Sequence, residues 1–136
     1  MAHEAALDFI RSNPQAVLAT YRRDGQAQLS PVLAAVDAES RVVISTREGA
    51  MKTRNLGRDP RAALCALSPR FYGEWHTVEG NAEIIGLPDA MEMLVDYYRR
   101  VSGEHPDWQE YREAMASERR VLLRITVDRS GPTTQG

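Results

Sequence analysis

The sequence predicts an α+β protein that is mainly β, a closed or half-closed barrel of about six mostly antiparallel strands with short helices packed outside. Six apolar runs have the length of strands, and turn residues separate them. Strands and helices do not alternate as in a doubly wound fold, and neither GxGxxG nor GxxxxGK[ST] occurs. A dinucleotide-binding fold and a P-loop therefore have no support.

The first two strands are predicted at residues 16–22 and 26–36. Between them lies Asp24-Gly25, a dipeptide that favours a tight hairpin because both residues tolerate a positive φ. Pro31 cannot donate a hydrogen bond to a neighbouring strand, so the second strand is expected at a sheet edge or with a bulge.

The remaining strands are predicted at 41–46, 61–67, 74–85 and 121–127. The run 61–67 is nearly all apolar, and we expect it to be covered on both faces. Gly80 indicates a bulge or bend in its strand. We expect residues 1–128 to form one domain and residues 129–136 to form a mobile tail.

Helices are predicted between these strands. Apolar spacing favours a helix at 3–12, and good helix formers at 50–56 precede the stop signal Asp-Pro. Pro88 is expected at the first position of a third helix. Asp107 is expected to cap a fourth helix, with Glu110 completing the pattern of a capping box.

Composition limits the class of protein. The chain has 136 residues, 43% of them hydrophobic and 26% charged, with a formal net charge of -2. These values predict one soluble domain. The apolar runs are too short to predict a membrane span, and the first residues, MAHE, lack the basic and apolar regions of a secretion signal. The single cysteine, Cys65, cannot form an internal disulfide, and its apolar surroundings indicate a buried side chain in a cytoplasmic protein. The three histidines are far apart in sequence, and no spacing of Cys and His predicts a metal site.

One segment concentrates positive charge in this slightly acidic chain. The cations between residues 47 and 61 are Arg47, Lys52, Arg54, Arg58 and Arg61. The segment is either a solvated helix face, a nucleic-acid patch or an anion site. The negative net charge and the lack of interleaved aromatic residues disfavour nucleic acid.

The anion site is predicted where the third strand passes into the following helix. Thr46, Arg47 and Gly49 end the strand, and Lys52 lies in the first turn of the helix. That turn leaves backbone N–H groups without partners at the positive end of the helix dipole, where a phosphate binds well. Composition alone does not decide between this interpretation and a solvated face.

The segment STREGAMKTRNLGRDPRAAL, residues 45–64, resembles the KTRNL-x-x-DPR segment of the pyridoxamine 5′-phosphate oxidase-like split-barrel proteins. The resemblance is strongest to the actinobacterial branch that uses the deazaflavin coenzyme F420. Residues 17–32, 78–84 and 97–123 match in the same order, and GEHPDW and RRVLL are specific to the branch. The resemblance implies a split β-barrel of the FMN-binding type that forms a homodimer, with two cofactor sites at the interface.

The resemblance also implies a set of cofactor-binding residues: Ser30, Pro31, Val32, Ser45, Thr46, Arg47, Ala50, Met51, Lys52, Thr53, Asn55 and Trp75. Lys52 corresponds to the phosphate-binding lysine of the family, and the backbone of residues 30–32 corresponds to the segment against the cofactor ring. Trp75 lies on the strand that brings an aromatic residue to the partner subunit's ring. Ala50 stands where many relatives have arginine, and Arg47 or Arg54 would supply that charge.

By the same resemblance the chain is an oxidoreductase that uses reduced F420 to transfer a hydride to a small unsaturated or carbonyl acceptor. An FMN-binding oxidoreductase and a non-catalytic F420 carrier or storage protein are the alternatives. No catalytic side chain is assigned, because the chemistry belongs to the cofactor. His76 is either a proton donor or a hydrogen-bonded residue on the outer face, and Tyr97 and Tyr98 either line a pocket or belong to the core.

Overall fold

The computed structural model of the chain describes residues 3–132, which form one seven-stranded sheet and four helices. The strands are β1 (Gln15–Tyr21), β2 (Ala27–Leu33), β3 (Ala35–Val36), β4 (Val42–Arg47), β5 (Arg61–Leu67), β6 (Trp75–Ile85) and β7 (Arg120–Gly131). The helices are α1 (Glu4–Ser12), α2 (Met51–Arg58), α3 (Met91–Ser102) and α4 (Trp108–Ser117).

The sheet curls into a half-barrel. Its strand order is β2-β1-β5-β6-β7-β4-β3, all neighbouring strands are antiparallel, and β2 also contacts β4 across the opening. Leu18, Ile44, Leu64 and Ile125 fill the interior, and each is at most 2% exposed. The mainly β split-barrel fold predicted from the sequence is therefore confirmed.

The run 26–36, predicted as one strand, forms two strands. β2 pairs with β1 at one end of the sheet, whereas β3 pairs with β4 at the other end. Ala34 lies between them, and its N–H donates to the carbonyl of Pro14 at 2.8 Å. The chain leaves one sheet edge and joins the other at this residue, so a single continuous strand is impossible.

The features predicted for the first hairpin are confirmed. Gly25 has a φ of +85°, and its N–H donates to the carbonyl of Arg22 at 2.9 Å in the turn between β1 and β2. β2 is an edge strand, as Pro31 requires, and Pro31 lies opposite Val17.

Gly80 marks an irregularity in β6, as predicted. The register between β6 and β7 shifts between Glu79 and Gly80. A Cβ atom at Gly80 would lie 1.9 Å from the carbonyl oxygen of Thr126, so a larger residue cannot occupy this position without moving β7.

The two faces of β5 differ, which corrects the prediction that both are covered. Ala62, Leu64 and Ala66 are buried in the barrel, whereas Ala63 and Cys65 on the other face are half-buried. The sheet's outer side is covered by α3 and α4 only over β3, β4 and β7. We call the outer side of β2, β1 and β5, which includes Leu29, the uncovered surface.

Helix starts follow the predictions except at α3. Pro88 lies in the turn that precedes this helix, and Met91 is its first residue. The N–H of Ala90 donates to the carbonyl of Gly86 at 2.9 Å, which closes a separate turn before the helix begins. The predicted cap of α4 is confirmed, because the Asp107 side chain accepts a hydrogen bond from the N–H of Glu110.

The last strand is longer than expected. β7 extends to Gly131, which pairs with Thr77 of β6, so residues 129–131 belong to the sheet and not to a tail. The part of the predicted tail at residues 133–136 lies outside the described residues. Within residues 3–132, no helix has the length and apolar character needed to cross a membrane.

Candidate functional site

The principal cavity lies at the opening of the half-barrel, where β2 approaches β4, and has a volume of about 900 Å³. Residues from α2, α3, α4 and β7 complete its walls. Five of the residues implied by the family resemblance line it together, namely Pro31, Val32, Ser45, Thr46 and Lys52. Two segments that are distant in sequence thus meet because the sheet curls.

The edge of β2 forms one wall of the cavity. Pro31, Val32 and Leu33 line it. The hydroxyl of Tyr97 on α3 donates to the carbonyl of Leu33 at 2.7 Å. This backbone carbonyl on the edge strand thereby gains a hydrogen-bond partner. The hydrogen bond also links α3 to the end of β2.

The start of α2 forms a second wall. Ala50 is the N-cap residue, no side chain caps this helix end in the described structure, and Lys52 lines the cavity. Thr53 is buried, and its hydroxyl donates to the carbonyl of Arg47 at 2.7 Å, which fixes the helix against the end of β4. An uncapped helix start beside an ammonium group has the chemistry of a phosphate site.

Asn55 holds α2 in place from inside the protein. It is 1% exposed, and its amide donates to the hydroxyl of Thr20 at 3.1 Å and to the side-chain carbonyl of Gln28 at 2.9 Å. Its own carbonyl oxygen accepts from Arg58 at 3.0 Å. These contacts tie the helix to the β1–β2 hairpin and thereby position Lys52.

The other implied residues do not line the cavity: Ser30, Arg47, Ala50, Met51, Thr53, Asn55 and Trp75. Arg47 is exposed and lies 3.7 Å from the carboxylate of Glu118. Trp75 is half-buried at the start of β6, opposite Leu67, which does line the cavity. The role of each of these residues toward a ligand stays a prediction.

Sequence reasoning did not place Glu118 and Arg120 in the site. Arg120 lines the cavity, and its guanidinium donates to the Glu118 carboxylate at 2.9 Å. Arg47 lies opposite Arg120 across β4 and β7, and the single Glu118 carboxylate pairs with both of these cations. The charged residues that line the cavity, Lys52, Glu118 and Arg120, carry a net positive charge, which favours an anionic ligand.

Three tyrosines, with Met115, form the wall contributed by α3 and α4. Burial raises the pKa of Tyr97 and raises the pKa of Tyr111 to about 12. Both hydroxyls donate to backbone carbonyls, Tyr111 to that of Leu94 at 2.8 Å. Tyr97 and Tyr98 line the pocket and also pack in the core, so the two interpretations drawn from the sequence both hold.

His76 does not line the cavity. It lies opposite the buried Ala66, so its side chain is on the inner side of the sheet and not on the outer face. Its Nε2 is 2.7 Å from a carboxylate oxygen of Glu74, and its ring stacks at a tilt on Phe9, with 4.8 Å between ring centroids. Within residues 3–132, His, Cys, Asp and Glu form no group that could hold a metal ion.

The model of the family described as pyridoxamine 5′-phosphate oxidase matches residues 2–132. Solved structures resemble the chain over nearly its whole length. A conserved hypothetical protein, Rv2991, from Mycobacterium tuberculosis is 28% identical with a TM-score of 0.78, over 96% of this chain and 82% of that one.

Two more distant structures share the fold. One is described as an F420 reductase, 22% identical with a TM-score of 0.70, over 96% of this chain and 97% of that one. The other is HutZ, the heme storage protein from Vibrio cholerae, 14% identical with a TM-score of 0.69, over 96% of this chain and 94% of that one. Proteins of this fold therefore differ in what they bind.

Proposed function

The chain belongs to the pyridoxamine 5′-phosphate oxidase family, and on that premise we propose that it is a cytoplasmic oxidoreductase that uses reduced F420 to transfer a hydride to a small unsaturated or carbonyl acceptor. The observation that supports this most is the meeting of Lys52, in the uncapped first turn of α2, with the β2 edge in one cavity. The specific segments of the F420-using branch and the F420 reductase with the same fold favour this cofactor.

The cavity residues fit a long cofactor that is anionic at one end. Lys52 and the backbone amides of the first turn of α2 would bind its phosphate, with the hydroxyls of Ser45 and Thr46 nearby. Pro31 and Val32 offer an apolar wall for a flat ring. A volume of about 900 Å³ is near the upper end of the range for small-molecule sites.

When bound, F420 supplies a hydride from its ring, and the protein supplies position and environment. The described residues that line the cavity include neither histidine nor cysteine. Tyr97 and Tyr111 hold their protons on backbone carbonyls, and their raised pKa values make them weak acids. Tyr97 and Tyr111 would therefore orient the ligand and exclude water. The proton that the product needs would come from solvent or from a group beside the bound acceptor.

A homodimer would complete this site. The uncovered surface is apolar, with Leu29 66% and Leu33 43% exposed, and it runs directly into the cavity through Val17, Pro31 and Leu33. A second copy that packs on this surface would cover these side chains, and each copy would then border the principal cavity of the other. Trp75 lies on the same side of the sheet, opposite Leu67, and would then approach the partner's cavity.

Two alternatives use the same residues. An FMN-dependent enzyme is favoured by the family description, because a lysine at a phosphate serves either cofactor. A carrier or storage protein is favoured by the lack of histidine and cysteine among the described residues that line the cavity. Neither alternative changes the assignment of Lys52 to a phosphate.

Cofactor titration tests the proposal. We expect F420 to bind more tightly than FMN, measured by the change in cofactor fluorescence. Lys52→Ala should weaken binding by about 1.5–3 kcal/mol, because the hydrogen bond to a phosphate is charge-assisted. Arg23→Ala, in the exposed hairpin turn, is the matched loss of a cation and should change nothing. Equal effects of the two variants would mean that the phosphate binds elsewhere.

Turnover separates an enzyme from a carrier. The reduced F420 bound to the protein should be oxidised by at least one member of a panel of enones, quinones and nitro compounds, which is itself reduced. The absorbance of the cofactor follows the reaction. Tight binding of F420 without oxidation by any member would favour the carrier. Tight binding of FMN with no binding of F420 would favour the FMN enzyme.

A further inference from the structure

A second cavity adjoins the principal one at the start of β1. Its volume is about 410 Å³, and it shares Gln15, Leu33, Leu67 and Pro69 with the principal cavity. The shared residues come from the beginning of β1, the end of β2, the end of β5 and the loop after it, and the two spaces meet along these side chains. A molecule in the second cavity would therefore lie beside the ligand of the first, as hydride transfer between them requires.

The two cavities differ in charge. Lys52, Glu118 and Arg120 line the principal cavity, whereas the described residues that line the second one include no charged side chain. Its polar groups are hydroxyls and amides, such as Ser12, Gln15 and Ser102. A charged ligand would lose water there without gaining a counter-ion, which is strongly unfavourable.

We propose that the second cavity binds the hydride acceptor and that this acceptor is an uncharged molecule with an apolar body. This inference rests on the proposed function, in which the principal cavity binds the anionic cofactor. Val101 and Leu67 supply apolar surface, and the amide of Gln15, which lines both cavities, can donate to a carbonyl oxygen. The volume lies within the range of sites for small molecules.

Binding of two matched ligands tests the inference without turnover. The ligands are 4-butylcyclohex-2-enone and the analogue whose alkyl chain ends in a carboxylate. Their dissociation constants are measured by calorimetry at neutral pH, with the protein loaded with oxidised F420 and again without cofactor. We expect the neutral ligand to bind at least about 10-fold more tightly, because the acid has no partner in the cavity.

Ser102→Arg should change this preference. Ser102 is the exposed last residue of α3, where a cation is compatible with the helix dipole, so the fold should be retained. The new guanidinium should strengthen binding of the acid. The ratio of the dissociation constants of the acid and the neutral ligand should therefore fall at least about fivefold. Ala5→Arg adds the same charge at an exposed position of α1 away from both cavities and should leave the ratio unchanged.

Equal affinities of the two ligands would overturn the inference. So would the same ratio of the two dissociation constants in Ser102→Arg and in Ala5→Arg. Failure of the neutral ligand to bind at millimolar concentration would overturn it as well. The proposed function fails separately, when F420 itself does not bind. Fluorescence titration of the cofactor on the same samples reports that outcome independently.

Discussion

The outer side of the sheet has two halves that are built alike but are covered differently. In one half, Ala35, Val43 and Leu122 point outward from β3, β4 and β7 and are buried beneath α3 and α4. In the other half, Leu29 and Leu33 point outward from β2 and remain 66% and 43% exposed. Both halves are apolar, so composition does not distinguish them.

The difference shows that an apolar outward face predicts that something covers it, but does not predict which element does so. The helices that follow β6 cover the nearer half of the sheet. The half formed by β2, β1 and β5 adjoins the cavity and is apolar beyond what a solvated face requires. We therefore assign its cover to a second copy of the chain, as proposed above, and the following predictions test that contrast.

Truncation of an outward-pointing leucine should destabilise the covered half much more than the uncovered half. Leu122→Ala should lower the free energy of unfolding by about 2–5 kcal/mol, because it leaves a cavity beneath α3 and α4. Leu29→Ala should change the stability of the isolated monomer by less than about 0.5 kcal/mol. Urea unfolding at low protein concentration measures both, and similar losses would contradict the contrast.

A charge on the uncovered surface should separate the subunits. The native protein is expected at twice the 15.2 kDa of the chain, and Leu29→Asp should weaken the dimer about 10-fold or more, because a carboxylate would be buried without a partner. Light scattering after size exclusion measures the mass. Ala116→Asp, exposed on α4, is the charge control. A wild-type monomer, or a dimer that Leu29→Asp leaves intact, would contradict the proposal.

The covered half should lose stability in alkali. The pKa of Tyr111 is raised from 10.0 to about 12 by burial, so above pH 10 the unfolded chain releases this proton while the folded protein retains it. The free energy of unfolding should therefore fall by about 1–2 kcal/mol as the pH rises from 10 to 12, with no contribution from this group below pH 10.

Tyr111→Phe tests the source of this dependence. It removes the ionisable group together with a hydrogen bond to Leu94, so the variant should be less stable at neutral pH but lose less stability between pH 10 and 12. Urea unfolding as a function of pH measures the slope. Tyr72→Phe, at a position 93% exposed, is the control. An unchanged slope in Tyr111→Phe would assign the dependence to other groups.

The smallest effect is expected at Cys65, on the uncovered surface. Its thiol is half-buried, and burial raises its pKa, so reaction with a thiol reagent should be slow but measurable in the monomer. The wild-type dimer should react more slowly than Leu29→Asp, because the partner would cover the thiol. Mass spectrometry of the labelled chain measures the rates, and equal rates would argue that Cys65 lies outside the interface.

Much of the fold was predictable from local signals. The Asp24-Gly25 turn, the edge position of the strand with Pro31 and the irregularity at Gly80 each follow from the conformational limits of one or two residues. The predictions failed where distant partners decide the outcome. The run 26–36 divides because its two parts pair with different strands, and β7 continues past residue 128 because β6 is long enough to pair with it.

The candidate site likewise contains residues that the sequence predicted and residues that only the strand pairing brings there. The resemblance identified the segments that supply Pro31, Val32 and Lys52 to the cavity. Lys52 lies in the matched segment 45–64, and Pro31 and Val32 lie in the matched segment 17–32. Glu118 and Arg120 carry no such signal. Their place in the site follows from the pairing of β4 with β7, which brings Arg47 and Arg120 opposite each other with the carboxylate between them.

The sequence by itself determined the mainly β architecture, the positions of most turns and the cationic segment at the start of α2. These depend on backbone conformation and on side-chain periodicity, which act over a few residues. Only the tertiary structure decided which half of the sheet α3 and α4 cover, and which tyrosines and charges surround the cavity. Those outcomes depend on how the curled sheet brings distant strands and helices into contact, and no local pattern encodes that packing.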